Sequence, residues 1–460
     1  MPAETEQLQT LDYRAAAESG LRTNFRWTIC ALLFFATTIN YIDRQILSLL
    51  KDTLDKEIGW SNEQFGWVNA SFQIAYGLSF LFFGWFTDRY GTKIGYALSI
   101  AAWSVAAAGH SLVHSFRGFI TARLCLGAGE AGNFPAAIKS CALWFPKRER
   151  AFATSIFNSG ANVGAIIAPA TIPFVAAAFG WRGAFVVAGI LGFIWLIFWW
   201  LLYEIPERHK GINAAELAYV RSDADEAAQE RKLPWAAIMS YPQAWSFIVA
   251  KFMTDPVWWF FLIWLPDYFK KTRGLAVTKS WIHLVTIYGI VTVLSILGGW
   301  LPGYLNKRGV SITAARKFSM CLFALCVMPI TMVTRLPIWP AVFLIGLAGA
   351  AHQAWSANLF TTVSDMFPKR AIASVVSLGG LAGSAGGFLF PIVTGRLLDY
   401  FEKTKGNAQG GYGVLFTICG FAYLAAFVLH HLLAPRFEQV PVPEYGQPAG
   451  PRGFDVEPPQ

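Results

Sequence analysis

The chain has 460 residues, of which 55% are hydrophobic and only 14% charged, with a formal net charge of +9. Soluble proteins carry about 25% charged residues, so composition overrules the roughly three soluble domains that length alone suggests and points to a membrane-spanning chain. The positive charge fits basic loops beside a bilayer rather than nucleic acid, and the six scattered cysteines (Cys30, Cys125, Cys141, Cys321, Cys326, Cys419) lack the paired spacing of a metal site or disulfide framework.

Residues 1–24 are polar and lead into a full-length apolar segment with no small-residue cleavage site, which reads as a cytoplasmic tail before a true span rather than a signal peptide. A helix needs about 20 apolar residues to cross a bilayer. Twelve segments qualify, near 25–48, 64–87, 93–112, 117–143, 150–176, 183–203, 243–266, 281–305, 315–334, 338–364, 371–396 and 412–433. The longest polar interruption, residues 204–242, separates a first group of six (25–203) from a second (243–433), and residues 434–460 read as a disordered cytoplasmic tail rich in Pro and polar residues. The expectation is an all-α membrane protein of twelve transmembrane helices in two pseudo-symmetric six-helix bundles, both termini cytoplasmic. The short connections Asp88–Lys93, Pro146–Arg150, Asn306–Arg308 and Pro368–Arg370 are basic, as cytoplasmic loops are. Lys270, Lys271, Arg273 and Lys279 depart from that pattern on the other side; they suit a solvated loop or the attraction of an anion.

The halves echo one another. Phe145-Pro146-Lys147-Arg148 opens the fifth segment and Phe367-Pro368-Lys369-Arg370 the eleventh, each followed by a proline 24 residues after its Phe, Pro169 and Pro391. At the same offset of 222, Ala151, Ser155 and Gly164 meet Ala373, Ser377 and Gly386. Parallel repeats of six spans are a transporter architecture, with substrate held between the halves near the midplane. The small residues of both segments allow close packing of helices and suit sliding as well.

Gly84-Trp85-Phe86-Thr87-Asp88-Arg89-Tyr90-Gly91-Thr92-Lys93 resembles the Gly-x-x-x-Asp-Arg-x-Gly-x-Lys loop of the major facilitator superfamily. The resemblance implies the major facilitator fold and makes this loop a conformational latch, with Gly84, Asp88, Arg89, Gly91 and Lys93 as its residues. The corresponding stretch of the second half, Gly303–Gly309, has Asn306 where an acid is expected, so a matching latch there is weaker. Asn40-Tyr41-Ile42-Asp43-Arg44, and Arg123 and Glu130 with Asn133-Phe134-Pro135, look like the anion:cation symporter branch. Residues 251–259 (Lys-Phe-Met-Thr-Asp-Pro-Val-Trp-Trp) and 352–358 (His-Gln-Ala-Trp-Ser-Ala-Asn) resemble the bacterial hexuronate transporters. The likeness covers nearly all of 25–433. It implies proton-coupled uptake of glucuronate or galacturonate by a monomer in the bacterial inner membrane, with protons as the coupling ion and no other cofactor.

The residues themselves support a polar site within the membrane, where an ionisable group is functional by default. Asp43 and Arg44 lie about 18 residues into the first span, ~27 Å along it. Arg123 and Glu130 are seven apart, on one face. Glu130 and Asp43 are expected to carry the coupling protons, with Arg123 tying down Glu130 or the substrate carboxylate; a static Arg123–Glu130 bridge is the alternative. Lys251 and Asp255 stand at i,i+4, either as a structural pair or with Lys251 binding a carboxylate and Asp255 accepting from sugar hydroxyls. Gln353 and Asn358 suit hydroxyls, His352 either titrates near neutrality or bonds a neighbouring helix, Tyr41 and Tyr76 offer phenols, and Trp355 suits the apolar face of a sugar ring. Trp258, Trp259, Trp195, Trp199 and Trp200 read as packing or belt residues.

No phosphate loop, HExxH, GxSxG or metal cluster is present in the sequence, so an enzyme is not expected. The other readings are a symporter or uniporter of an aldonate such as galactonate or another small organic anion, and a solute sensor that binds without transport.

Overall fold

Apolar runs of this length form helices in a bilayer because every backbone polar group must be satisfied within the chain. In the computed structural model, which describes residues 23–222 and 235–440, helix dominates and no strand occurs among the described residues. The spans are α1 (Phe25–Leu49), α2 (Asn62–Tyr90), α3 (Thr92–Gly109), α4 (Phe116–Glu130 continued by Asn133–Trp144), α5 and α6, α7 (Pro242–Arg273), α8 (Val277–Lys307), α9 (Ile312–Val327 with a 3₁₀ extension to Arg335), α10 (Ile338–Met366), α11 (Lys369–Lys405) and α12 (Ala408–Leu433). Spans α5 and α6 form one unbroken run, Lys147–Leu202, interrupted only at Gly180, whose φ of 72° and ψ of 171° turn the chain between 147–179 and 181–202. That positive φ is accessible to glycine and strained for other residues. Among the described residues, eight helices are long and apolar enough to cross a membrane by length and composition alone. One of these holds both α5 and α6, and α2, α3 and the interrupted α4 complete the twelve.

The expected spans are recovered, two of them longer than their apolar cores. The seventh runs past 266 to Arg273, where Gly274 ends it in a left-handed cap. Lys270, Lys271 and Arg273 therefore occupy the last turn of a helix, where cations oppose the negative end of the dipole. The eleventh runs past 396 to Lys405.

Packing repeats at an interval of six. α2 lies on α4 as α8 lies on α10, and α1 lies on α5 as α7 lies on α11; across the seam α2 meets α11 and α8 meets α5. The glycines matched at offset 222 do matching work. A Cβ on Gly164 of α5 would lie 2.5 Å from the Thr38 carbonyl of α1, and one on Gly386 of α11 would lie 2.5 Å from the Phe252 carbonyl of α7. Each glycine lets the fifth helix of a half press on the first.

An even number of spans puts both ends of the bundle at one face, here termed the terminal face; the other is the distal face. The short helix Lys51–Ile58 caps the distal face. On the terminal face the connection between the halves packs onto the first bundle. Its helix Ala214–Val220 buries Glu216, whose carboxylate accepts from the Phe25 and Arg26 amides at the start of α1, both at 3.1 Å. Two of that helix's orphan donors are thus satisfied from the connection. The expected tails at 1–22 and 441–460, and residues 223–234 of the connection, lie outside the described residues. Residues 434–440, expected to be disordered, pack back instead: the Val440 amide donates to the Met366 carbonyl at 2.8 Å, and Lys317 Nζ donates to the carbonyls of Ala434 and Pro435 at 2.7 and 2.6 Å.

Candidate functional site between the halves

The site is assembled from helices that approach closely because their contact points lack side chains. Gly160 and Gly164 of α5 lie on the α1 backbone at Phe34 and Thr38, fixing the α1 turn that carries Tyr41, Asp43 and Arg44. Gly127 of α4 abuts the Phe72 carbonyl of α2, and a Cβ on Gly129 would lie 2.6 Å from the Trp103 amide of α3. These contacts hold Glu130 at the end of the first segment of α4, immediately before the helix is interrupted at 131–132.

Arg44 and Glu130 form the central ion pair. Arg44 Nε donates to Glu130 Oε2 at 2.7 Å, with both side chains buried. The guanidinium sits among four aromatic rings: Tyr41 at 5.1 Å, Phe72 at 5.1 Å, Tyr76 at 4.8 Å and Trp259 at 5.6 Å from its carbon to their centroids. Three belong to the first half and Trp259 to the second, so the cage closes across the seam. Cation–π contacts of this kind contribute about 0.5–1 kcal/mol each at exposed sites and more when desolvated. Arg44 Nη2 has no protein partner, and neither does either carboxylate oxygen of Asp43 or Nε of Arg123. Buried polar atoms are ordinarily satisfied. A cluster of unpaired ones on charged side chains leaves donors and acceptors available to a polar ligand or to water.

Arg123 does not pair with Glu130. Its Nη2 donates to the Arg44 backbone carbonyl at 3.3 Å, and its guanidinium lies over Phe72, one of the four rings of the cage, at 5.5 Å. The seven-residue spacing puts Arg123 and Glu130 on one face of α4, but two turns of helix separate their backbones, and Arg44 from α1 reaches the carboxylate first. In place of the static Arg123–Glu130 bridge that the sequence left as the alternative, the structure has an Arg44–Glu130 bridge between helices.

On the second half, Lys251 Nζ meets Asp255 Oδ2 at 2.6 Å. Lys251, Asp255 and Trp259 follow at i, i+4 and i+8 along α7, one stripe facing the seam. Gly383 of α11 lies directly over the Asp255 carboxylate, and Gly387 lies where a Cβ would meet the Trp259 indole at 3.1 Å and the Gln73 amide at 3.5 Å. The α11 glycines thus open room for the α7 stripe and for α2.

The α10 residues divide. His352 Nδ1 is engaged by the Tyr423 hydroxyl of α12 at 2.5 Å, and its ring stacks on Trp258 at 5.5 Å with an interplanar angle of 3°. It is the neighbour-bonded histidine of the two sequence readings. Asn358 donates to the Ala354 carbonyl of its own helix at 2.8 Å, and Gln353 is half-buried. Trp355 is fully buried, edge-on to Tyr423 at 5.8 Å; it is a core residue and has no face free for a sugar. Trp259 is the seam tryptophan, which the sequence offered as packing or belt, whereas Trp258, Trp195 and Trp199 are buried packing residues and Trp200 is exposed.

At the terminal face the loop signature is in place, and among the described residues its ion pairs are with its own half. Asp88 pairs with Lys139 of α4 at 2.8 Å while remaining 78% exposed, and Lys93 pairs with Glu204 at 3.1 Å. Arg89 lies against Trp85 and Tyr90, Gly91 has a φ of 85°, and Gly84 is open on its Cβ side. Lys139 is the partner that the sequence did not single out. No local pattern marks it, because the contact joins residues 51 apart.

A family model described as Major Facilitator Superfamily matches residues 33–391. The hexuronate transporter of Escherichia coli (strain K12) is 29% identical over 418 residues, covering 89% of this chain and 94% of that protein. A probable galactarate/D-glucarate transporter, GudP, of Bacillus subtilis (strain 168) is 29% identical over 453 residues, covering 93% and 96%. The D-galactonate transporter of Escherichia coli O6:H1 is 29% identical over 399 residues, covering 83% and 90%. Among solved structures, a bacterial homologue of the human lysosomal transporter Spinster, inward-facing and unoccupied, superposes with a TM-score of 0.69 at 18% identity over 90% of this chain and 96% of that one.

Proposed function

We propose that this chain, which belongs to the Major Facilitator Superfamily, carries a hexuronate such as glucuronate or galacturonate across the bacterial inner membrane together with protons, by alternating access. It is a membrane transporter and not an enzyme. The observation that carries the reading is the Arg44–Glu130 pair in a cage shared by both halves, with unpaired polar atoms on Arg44, Asp43 and Arg123 around it. An anion with hydroxyls needs cationic donors and oxygen acceptors in one dry cleft. Arg44 on the first half and Lys251 on the second supply the cations, and Asp255, Tyr41 and Tyr76 supply hydroxyl partners.

In this reading Glu130 releases Arg44 when it takes up a proton, so that the guanidinium turns its free Nη2 and its Nε to the substrate carboxylate. Asp43, buried beside Arg44 and Arg123, is the second proton carrier. Arg123 acts through Arg44, holding the α1 backbone at its carbonyl. Names of relatives support sugar acids as the substrate class. The orientation with both termini cytoplasmic rests on the basic connections at the terminal face. On that orientation the contacts that join the halves at the distal face, Lys51 with Asp267 and Arg396 with Glu63 among them, lie on the outer side.

The same 29% identity to proteins named for a hexuronate, an aldarate and an aldonate favours a specific second reading: an open-chain sugar acid in the same site. Uptake into proteoliposomes under an imposed proton gradient tests both. Accumulation of glucuronate or galacturonate supports the proposal, accumulation of galactonate or galactarate alone supports the second, and counterflow without gradient-driven accumulation of any of them overturns proton coupling.

A further inference from the structure

The basic cluster at 270–279 stands outside the transport site, and the structure gives it partners. At the distal face Lys51 is almost wholly buried and meets Asp267 of α7 at 3.2 Å. Asp399 of α11 accepts from the backbone amides of Asn62 and Glu63, at 3.1 and 3.0 Å, so the second half caps the N-terminus of α2. Lys271 of α7 donates to the Asn62 side chain at 2.8 Å, and Arg396 of α11 pairs with Glu63 at 2.7 Å. All four contacts cross the seam between the halves.

Each charge that faces the seam here, the buried Lys51 and Asp267 and the half-buried Lys271 and Asp399, also holds a partner on its own side. Lys51 is bonded by Asp55 at 2.5 Å. Asp267 accepts from the Tyr412 hydroxyl at 2.5 Å, and Lys271 pairs with Glu402 at 2.7 Å. Asp399 has Lys403 at 3.8 Å, and Ser61 caps α2 within the first half through a capping box. Stranding a buried charge is strongly destabilising. Here the halves can part at this face with every buried charge still paired. A contact set with two satisfied arrangements is bistable, whereas a set with partners only across the seam is a permanent weld.

We propose that these residues form a distal clasp, an electrostatic latch that sets the population of the distally closed state and opens without unpaired buried charge. The clasp, not the solvated loop or anion funnel, is then the role of Lys271 in the basic cluster, and it is independent of which substrate is carried.

The test uses the full-length protein with native cysteines replaced and spin labels at Thr53→Cys and Thr404→Cys, exposed positions on the two sides of the distal seam. Interspin distances are measured in lipid nanodiscs without substrate. Glu63→Arg and Arg396→Glu, each alone, should raise the ratio of distally open to closed molecules by up to about fivefold, the range expected for one exposed pair, and the double charge swap should return it. Asp399→Ala, which removes the cap on α2, should raise it further. Unchanged distances in all variants, or a double swap as open as the singles, overturn the clasp. Should Asp399→Ala not fold, the exposed swap pair decides alone.

Discussion

Replacing Glu130 by Gln tests the proton site with the least steric change. The amide keeps the shape of the carboxylate and its oxygen can still accept from Arg44 Nε, so the 2.7 Å contact persists as a hydrogen bond to a neutral group. Such a bond contributes about 1 kcal/mol less than its charged counterpart. The pair changes from neutral to singly positive, and Arg44 is freed toward an incoming carboxylate. Substrate affinity should therefore rise, by about five- to thirtyfold if one charged hydrogen bond of about 1–2 kcal/mol is gained. Coupling should be lost. A hexuronate monoanion and one proton cross together without net charge, so the proton carried by Glu130 supports about tenfold accumulation per unit of pH gradient, and the variant should lose that factor. The assay is radiolabelled substrate uptake in proteoliposomes with imposed gradients, beside counterflow and a binding isotherm. A variant that accumulates substrate to the wild-type ratio refutes the role of Glu130, and one that loses counterflow together with binding refutes the reasoning that the ion pair competes with substrate.

Arg44→Lys keeps the charge but loses the planar fork and most of the aromatic contact; binding should weaken at least tenfold with the purified protein still monodisperse, read by isothermal titration. Lys251→Met leaves Asp255 without its cation, and binding should fall about ten- to a hundredfold, whereas a purely structural Lys251–Asp255 pair would lower the melting temperature without altering affinity in the folded fraction. Gly66→Leu places side-chain atoms against the Pro391 carbonyl, so the distal seam should fail to close and interspin distances there should lengthen, with shortening or no change counting against the seam as drawn. Phe437→Ala removes a ring packed on His430 at 5.7 Å and should lower stability by about 1–3 kcal/mol, seen as a lower midpoint in thermal unfolding, while leaving transport in the folded fraction intact.

The spans were legible because the bilayer forces one solution on an apolar run, and the repeat was legible because a matched Pro, Gly and Phe-Pro-Lys-Arg survive at one offset. Gly164 and Gly386 show that this offset has a physical basis, since each occupies the same contact in its half. The charged residues of the site were legible as residues, for a buried ion announces itself in a hydrophobic context. Their pairing was not. Spacing within one helix favours Arg123 for Glu130, and it says nothing of Arg44, which arrives from a helix 86 positions away. Trp259 and Trp355 were exchanged for the same reason: both sit in apolar stretches, and only the facing helix decides which reaches the seam. The basic cluster failed differently. Hydropathy ended the seventh span at 266, where the apolar run stops, but the helix continues for two more turns because its cations face acids and amides from three other elements. A polar helix end reads as a loop until its partners are known. Charges left over by the positive-inside pattern are therefore worth testing first as contacts between halves, because a moving seam is where a membrane transporter needs polar groups that can change partners.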